Sequence, residues 1–405
     1  MRIALIAPHI KIPGESGAAV HHMEFTKALA KLGNEIHIFA DSGKEIKLDR
    51  TIYIHPSVIS NIPPKRFLTS LMTAEKIEKI CKEKKIQIIH DRCDPGQIAG
   101  YRVAEKLRLP RVAEINENQL SYEIKGNFLR DILTYPLLIK IKKLWIKKIV
   151  SAADEIVCVS NVIKSMLIRQ GATSKKIEVI RNGANPEKFR TKINKKLRKK
   201  YKADKDDLVL TIIGELGPRQ GIKEAVYAVE KMQNKIPNLK LILVGKEKRY
   251  EKYINSIKNY TKNKKVQKKI VFIDKINHEE IPKFLSTVDF ALAPYRESWN
   301  NESFGFCPIK ILEYMTAGKT VIATDTKWTR ELIEDKREGF LVPIENFANE
   351  LENILTETNP KMRKKIEKNA RKKILKEFTW LKVAKKYEKI YKKLILSSIN
   401  HNMSA

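Results

Sequence analysis

Two hydrophobic periods alternate along this chain. Short apolar runs read as buried strands, and longer stretches with apolar residues every three or four positions read as amphipathic helices. RIALIAP (2–8) predicts a first strand, followed by a small-residue loop from Pro13 to Val20 and a helix, HHMEFTKALAKLG, that stops at Gly33. EIHIFA, IQIIHDR (86–92), RVAEIN (111–116) and EIVCVS (155–160) continue as strands, each of the last three preceded by a helix-like segment. At RNGANPEKF (181–189) and the lysine-rich TKINKKLRKKYKADKDD that follows, glycine, proline and charge interrupt the periodicity, which marks a boundary. The alternation then restarts with LVLTIIGEL, LKLILVG, KIVFID, VDFALAPY and KTVIATD. Strand–helix alternation calls for parallel sheets covered on both faces, so the expected fold class is α/β with two doubly wound domains. Such a pair is expected to bind its ligand at the carboxyl ends of the strands, in a cleft between the sheets.

Composition sharpens this reading. A length of 405 residues exceeds one ordinary core and fits two. The net charge of +33 raises the question of polyanion or membrane partners. Of the 80 basic residues 19 are arginine and 61 lysine, and the lysines lie along nearly every helix-like stretch, which is equally the composition of a lysine-rich proteome. No arginine-rich stripe with interleaved aromatics stands out, so no nucleic-acid partner is expected. Cys81, Cys93, Cys158 and Cys307 form neither a disulfide framework nor a metal-binding spacing, which suits a reducing cytoplasm. No run of 18 apolar residues occurs.

The densest chemistry lies in ESFGFCPIKILEYMTAGK, Glu302 to Lys319. Pro308 suits the first position of a helix and Gly318 its end. A helix amino end attracts phosphate, and Lys310 in the first turn opposes the dipole unless an anion is present. Glu313, three residues on, shares that face and can accept hydrogen bonds from a ribose. A plain Lys310–Glu313 surface pair is the alternative.

GFCPIKILEYMTAGKTVIATD resembles the donor-binding signature of retaining GT-B enzymes of glycosyltransferase family 4 (group 1), in the variant with a Ser-Pro-x-Lys-like stretch before Glu-Tyr-Met. SAADEIVCVSNVIKSML with KKIEVIRNGANPEKF resembles that family's passage between domains, and EFTWLKVAKKYEKIY its closing helix. The resemblance implies an acceptor-side domain over 1–185, a donor domain over 186–379, and a closing helix near 380–397 that packs back on the first. It implies that Glu313 binds the donor ribose and Lys310 the diphosphate, with Gly214, Pro308 and Ile309 lining the donor site. Glu302 would be the first acid of a paired-glutamate motif, although its separation from Glu313 is wider than the family pattern.

GELGPRQG places Glu215 and Gln220 where the family usually carries an arginine and a lysine on the donor phosphates, leaving Arg219 as the neighbouring cation. Asn116 stands where many relatives have a histidine. Asn116 and His21 are expected to contact acceptor or donor sugar, and Gly14 and Gly17 resemble the loop that lets backbone approach the transferred group.

The implied reaction moves a sugar from a nucleotide-diphosphate donor to a glycan or lipid-linked acceptor with retention, the leaving group being stabilised by the helix end, Lys310 and Arg219. No metal or other cofactor is expected. A nucleotide-sugar epimerase or hydrolase, or a silent polyanion-binding protein on the same fold, are the alternatives. PLLIKIKKLWIKKIV (136–150) sets Lys140, Lys143 and Lys147 on one helical face, with Leu144 among them, and Leu138, Ile141, Trp145 and Ile149 on another. That pattern suits peripheral docking on the anionic inner face of the cell membrane, or a core helix with a solvated lysine face.

Overall fold

In the computed structural model, residues 1–57, 59, 63–120, 128–190, 193–245, 250–297 and 303–403 are described. The chain divides into two compact units. One comprises Met1–Gly183, Ser298–Cys307 and Trp380–Ala405, and the other Ala184–Glu297 and Pro308–Thr379. The segment 298–307, which sequence reading placed in the second domain, thus belongs to the first unit.

The first unit is built on an eight-stranded sheet: β1 (Arg2–Lys11), β2 (Glu35–Asp41), β3 (Ile46–Lys47), β4 (Ile52–Pro56), β5 (Ile88–Arg92), β6 (Arg111–Ile115), β7 (Glu155–Cys158) and β8 (Ile177–Val179). The spatial order is β3-β4-β2-β1-β5-β6-β7-β8, parallel except for the β3–β4 pair. Side chains alternate between faces along a strand, and covering both faces makes the central strands continuously apolar: Ile3 to Ala7 are fully buried. The helix Gly17–Lys31 starts four residues before the expected segment, because Ser16 accepts a hydrogen bond from Ala19 N (3.2 Å) and caps it.

The second unit holds a six-stranded, wholly parallel sheet: β9 (Leu208–Ile213), β10 (Leu239–Val244), β11 (Ile270–Ile273), β12 (Phe290–Ala293), β13 (Thr320–Thr324) and β14 (Phe340–Val342), in the order β11-β10-β9-β12-β13-β14. The helix Ile222–Met232 buries Ile222, Ala225, Val226, Val229 and Met232, a three-and-four spacing, against Leu210, Ile212, Leu241 and Leu243. The lysine-rich stretch that marks the boundary contributes a 3-10 turn, Lys195–Tyr201, to this core. Arg198 is fully buried there, donating to Asp289 Oδ2 (2.7 Å) and to the carbonyl of Thr287 (3.0 Å). A buried guanidinium is tolerated where carboxylate and carbonyl groups satisfy it.

Each sheet reverses its order once, between β1 and β5 in the first and between β9 and β12 in the second. Neighbouring strands at such a point send their connections to opposite faces, so their carboxyl ends leave a crevice within that unit. Among the described residues no helix is long and apolar enough to cross a membrane.

Candidate active site

In the second unit the crevice is formed where β9 and β12 end. β9 runs into Gly214 at φ +135°, a backbone region that favours glycine. Beyond it, Gly221 at φ +62° opens the helix Ile222–Met232 and lies so close to β12's exit that an added Cβ would sit 1.8 Å from the Pro294 carbonyl oxygen. That contact presses the turn Pro218–Gln220 against the residues after β12, where Arg296 N donates to the Arg219 carbonyl (3.0 Å).

The helix Ile309–Thr316 enters the same place. Pro308 is its N-cap, one position earlier than the sequence suggested, and no side chain caps the end. Ile311 N donates back to the Pro308 carbonyl (3.1 Å), so in the first turn the N–H groups of Ile309 and Lys310 are those with no partner within the helix. Tyr314, buried on this helix, accepts a hydrogen bond from Ile213 N (2.9 Å), which fastens the helix to the last residue of β9.

Lys310 points from the first turn across to the β9 end. Its Nζ donates to Gln220 Oε1, lies 4.6 Å from the centre of the Tyr295 ring and is 3.9 Å from where a Gly214 Cβ would be. Among the described residues no carboxylate pairs with it. Burial, and after it the Arg219 guanidinium, push this ammonium down to about 7. Gln220, at a position where the family usually carries a cation, thus supplies an acceptor that holds Lys310 in place.

Glu313, also buried, faces a different partner. His278 Nε2 lies 2.6 Å from Glu313 Oε1, and His278 Nδ1 lies 2.8 Å from Lys188 Nζ. An ammonium only donates, so Nδ1 accepts and the ring proton sits on Nε2, where it donates to Glu313. The relay Lys188–His278–Glu313 sets the carboxylate's orientation. Sequence reading missed His278 and Lys188, which lie 35 and 125 positions before Glu313; Lys188 sits within the quoted RNGANPEKF passage but was given no role there, and no motif surrounds His278. Tyr295, which ends the strand-like run VDFALAPY, was within reach as the aromatic immediately beyond β12.

Pro308, Ile309, Gly214 and Arg219 are therefore gathered near Lys310 by the fold. Glu302 lies outside the described residues. In the first unit, His21 is buried, with Nδ1 2.8 Å from Asn182 Oδ1 and Nε2 2.9 Å from Glu114 Oε1. It is held inside the fold and does not present itself to an acceptor. Asp91 pairs with Arg111 (2.7 Å) in the core and not with its neighbour Arg92. Among the described residues the buried side-chain amide atoms of Asn116 have no partner. Gly17 is the first helical residue with open space about it, whereas a Cβ on Gly14 would fall 2.4 Å from the Lys11 carbonyl oxygen. Gly14 is needed for that turn.

Comparison with known proteins agrees with the two-sheet architecture. Residues 193–373 match the family model described as glycosyl transferases group 1, and residues 16–188 that of glycosyltransferase family 4. An uncharacterized glycosyltransferase of Methanocaldococcus jannaschii is 24% identical over 96% of this chain and 98% of its own length. A UDP-Gal:alpha-D-GlcNAc-diphosphoundecaprenol alpha-1,3-galactosyltransferase of Escherichia coli is 24% identical over 84% of each. Among solved structures, a sucrose-phosphate synthase from Thermosynechococcus elongatus superposes with a TM-score of 0.77 at 19% identity, covering 98% of this chain and 99% of that one. Anabaena HepE in complex with UDP-glucose superposes with 0.73 at 18%, covering 97% and 100%. These structures share its GT-B fold. With family models spanning nearly the whole chain, this protein belongs to the group 1, family 4 glycosyltransferases.

Proposed function

We propose that the protein transfers a sugar from a nucleotide-diphosphate donor to a glycan or lipid-linked acceptor, with retention at the anomeric carbon and without a metal in the transfer step. The observation that carries the donor half is Lys310: a half-buried ammonium at an uncapped helix end, beside Arg219 and without a carboxylate among the described residues. Such a pocket is electropositive and lacks an anion, and a diphosphate supplies one. HepE, of the same fold, is described with UDP and with UDP-glucose, which supports a nucleotide as the occupant. Glu313, aimed by His278, has its second oxygen left for a ribose hydroxyl. As the sugar–phosphate bond breaks, charge builds on the departing diphosphate, where Lys310, Arg219 and the helix N–H groups are already oriented.

The acceptor half rests on the first unit. On the helix Phe128–Ser151 the structure buries Ile146, Ile149 and Val150 and exposes Leu137, Ile141 and Leu144 at 64, 53 and 63%, among Lys140, Lys143 and Lys147. This corrects the apolar face read from sequence, since Ile149 belongs to the core and Leu137 to the surface. An exposed apolar row set among lysines suits docking on anionic lipid, where a lipid-linked acceptor is presented.

The test is a thermal-shift screen against UDP-, GDP- and dTDP-sugars, followed by product analysis with the donor that binds. A donor at 100 times its dissociation constant adds about 2.7 kcal/mol of stability. No shift with any nucleotide sugar, or release of free sugar without a new glycosidic bond in the presence of lipid-linked acceptors, would defeat the proposal.

A further inference from the structure

The first unit contains a second cluster of chemistry-bearing side chains that the transfer reaction does not use. His21 and His22 lie on the helix Gly17–Lys31, His90 on β5 and Glu114 on β6, and all four are buried. One ligand atom from each of His21, His22 and Glu114 falls within 4.8 Å of the others, and His90 Nε2 lies 3.5 Å from Glu114 Oε2.

Several of these groups are tied at their far side. Asn182 Nδ2 donates to the Cys307 carbonyl (2.6 Å), which turns Asn182 Oδ1 towards His21 Nδ1 and requires the proton there. His21 Nε2 then faces Glu114 Oε1 at 2.9 Å, a contact that needs either a proton or a metal ion between the two atoms. The Tyr391 hydroxyl holds His90 Nδ1, and the Tyr387 hydroxyl donates to Glu114 Oε1 (3.0 Å). Among the described residues both nitrogens of His22 are buried with no hydrogen-bond partner, while His21 Nε2 and His90 Nε2 have the Glu114 carboxylate within reach. Among the described residues the charge of Glu114 meets only imidazoles. Outer groups that fix the ring orientations around unpartnered inner atoms are the usual surroundings of a metal centre.

We propose that His21, His22 and Glu114 bind one divalent cation of the zinc class as a structural site, with His90 beside Glu114 as the supporting imidazole. Imidazole and carboxylate ligands suit zinc, with a water molecule to complete four, and tetrahedral bonds of about 2.0–2.2 Å place neighbouring ligand atoms roughly 3.4 Å apart. His21 Nε2 lies 2.9 Å from Glu114 Oε1, and the ligand atoms of the three-residue set lie within 4.8 Å of one another, so small side-chain shifts bring them to that spacing. The ion would fasten the first helix to β6 and, through Tyr387 on Glu114, to the closing helix. It has no part in the transfer step.

The experiment uses the full-length, untagged protein purified without chelators. Elemental analysis is expected to find about one zinc per chain, dipicolinate to lower Tm, and one equivalent of zinc to restore it. Cobalt exchanged into the site should give the visible bands of a tetrahedral ion, and His22→Gln should abolish stoichiometric metal. If that variant does not fold, the chelation and cobalt measurements on the unaltered protein decide alone. Zinc well below one per chain, with a Tm indifferent to dipicolinate and added zinc, would overturn the proposal and leave a buried histidine–glutamate network.

Discussion

At Lys310 the protein holds an ammonium where water is scarce and, among the described residues, no carboxylate is within reach, a state that costs free energy until an anion arrives. Lys310→Ala is therefore expected to slow turnover at least tenfold, on the order of 2 to 4 kcal/mol of barrier, while circular dichroism and Tm stay near wild type. The same position carries a pH signature. Between about 7 and the ordinary lysine value of 10.5 the unfolded chain keeps a proton that the unliganded folded chain releases. Folding stability from this group rises with pH across that window, and below it the penalty is constant. Lys310→Met should raise Tm more at pH 6.5 than at pH 9, and nucleotide affinity of the unaltered protein should fall as pH rises above about 7. Calorimetric titration at several pH values measures the second effect. His278 acts through Glu313. His278→Ala is expected to weaken nucleotide binding several-fold with a smaller change in kcat, and His278→Gln, whose amide can donate to Glu313, to recover part of it. Equal nucleotide affinity in all three proteins would show that the relay does not orient the carboxylate.

Elements were legible in the sequence where burial on both faces imposed a continuous apolar run, as in Ala4 to Ile6 of β1 or Leu241 to Val244 of β10. β8 and β14 are three residues long and β3 two, too short to show a period. The Lys195–Tyr201 turn showed only as a break in the periodicity because lysines surround the buried Arg198. Around the site, Pro308, Lys310, Glu313 and Gly318 fall within one helix and its flanks, so spacing revealed them together. The contacts of His278 and Tyr295 come from separate connections and appear only once the strand order is known. Gly221 is the element-scale pivot of that arrangement. Gly221→Ala meets both a left-handed backbone and the Pro294 carbonyl, so Tm should drop and Lys310 should lose the Gln220 contact. A lowered Tm with unchanged donor affinity would separate folding from positioning. On the lipid side, Leu144→Glu should reduce co-sedimentation with anionic vesicles while leaving transfer to a soluble acceptor intact.

For the molecule as a whole, the backbone passes from one compact unit to the other four times, after Gly183, Glu297, Cys307 and Thr379. The two domains expected from sequence were nearly contiguous blocks, and the excursion over 298–307 had no compositional mark. No single cut can therefore separate this polypeptide into its functional halves. A fragment ending at Gly183 would retain Glu114 and His90 but lack the tyrosines that hold them, and is expected to be insoluble or molten when expressed alone. Supplying residues 380–405 by fusion should recover more native-like order, read by the dispersion of its amide resonances. Gene architecture follows from the same threading: recombination that swaps donor specificity between relatives must exchange two separated stretches at once, since a one-point crossover leaves a chimera with part of each parent's core.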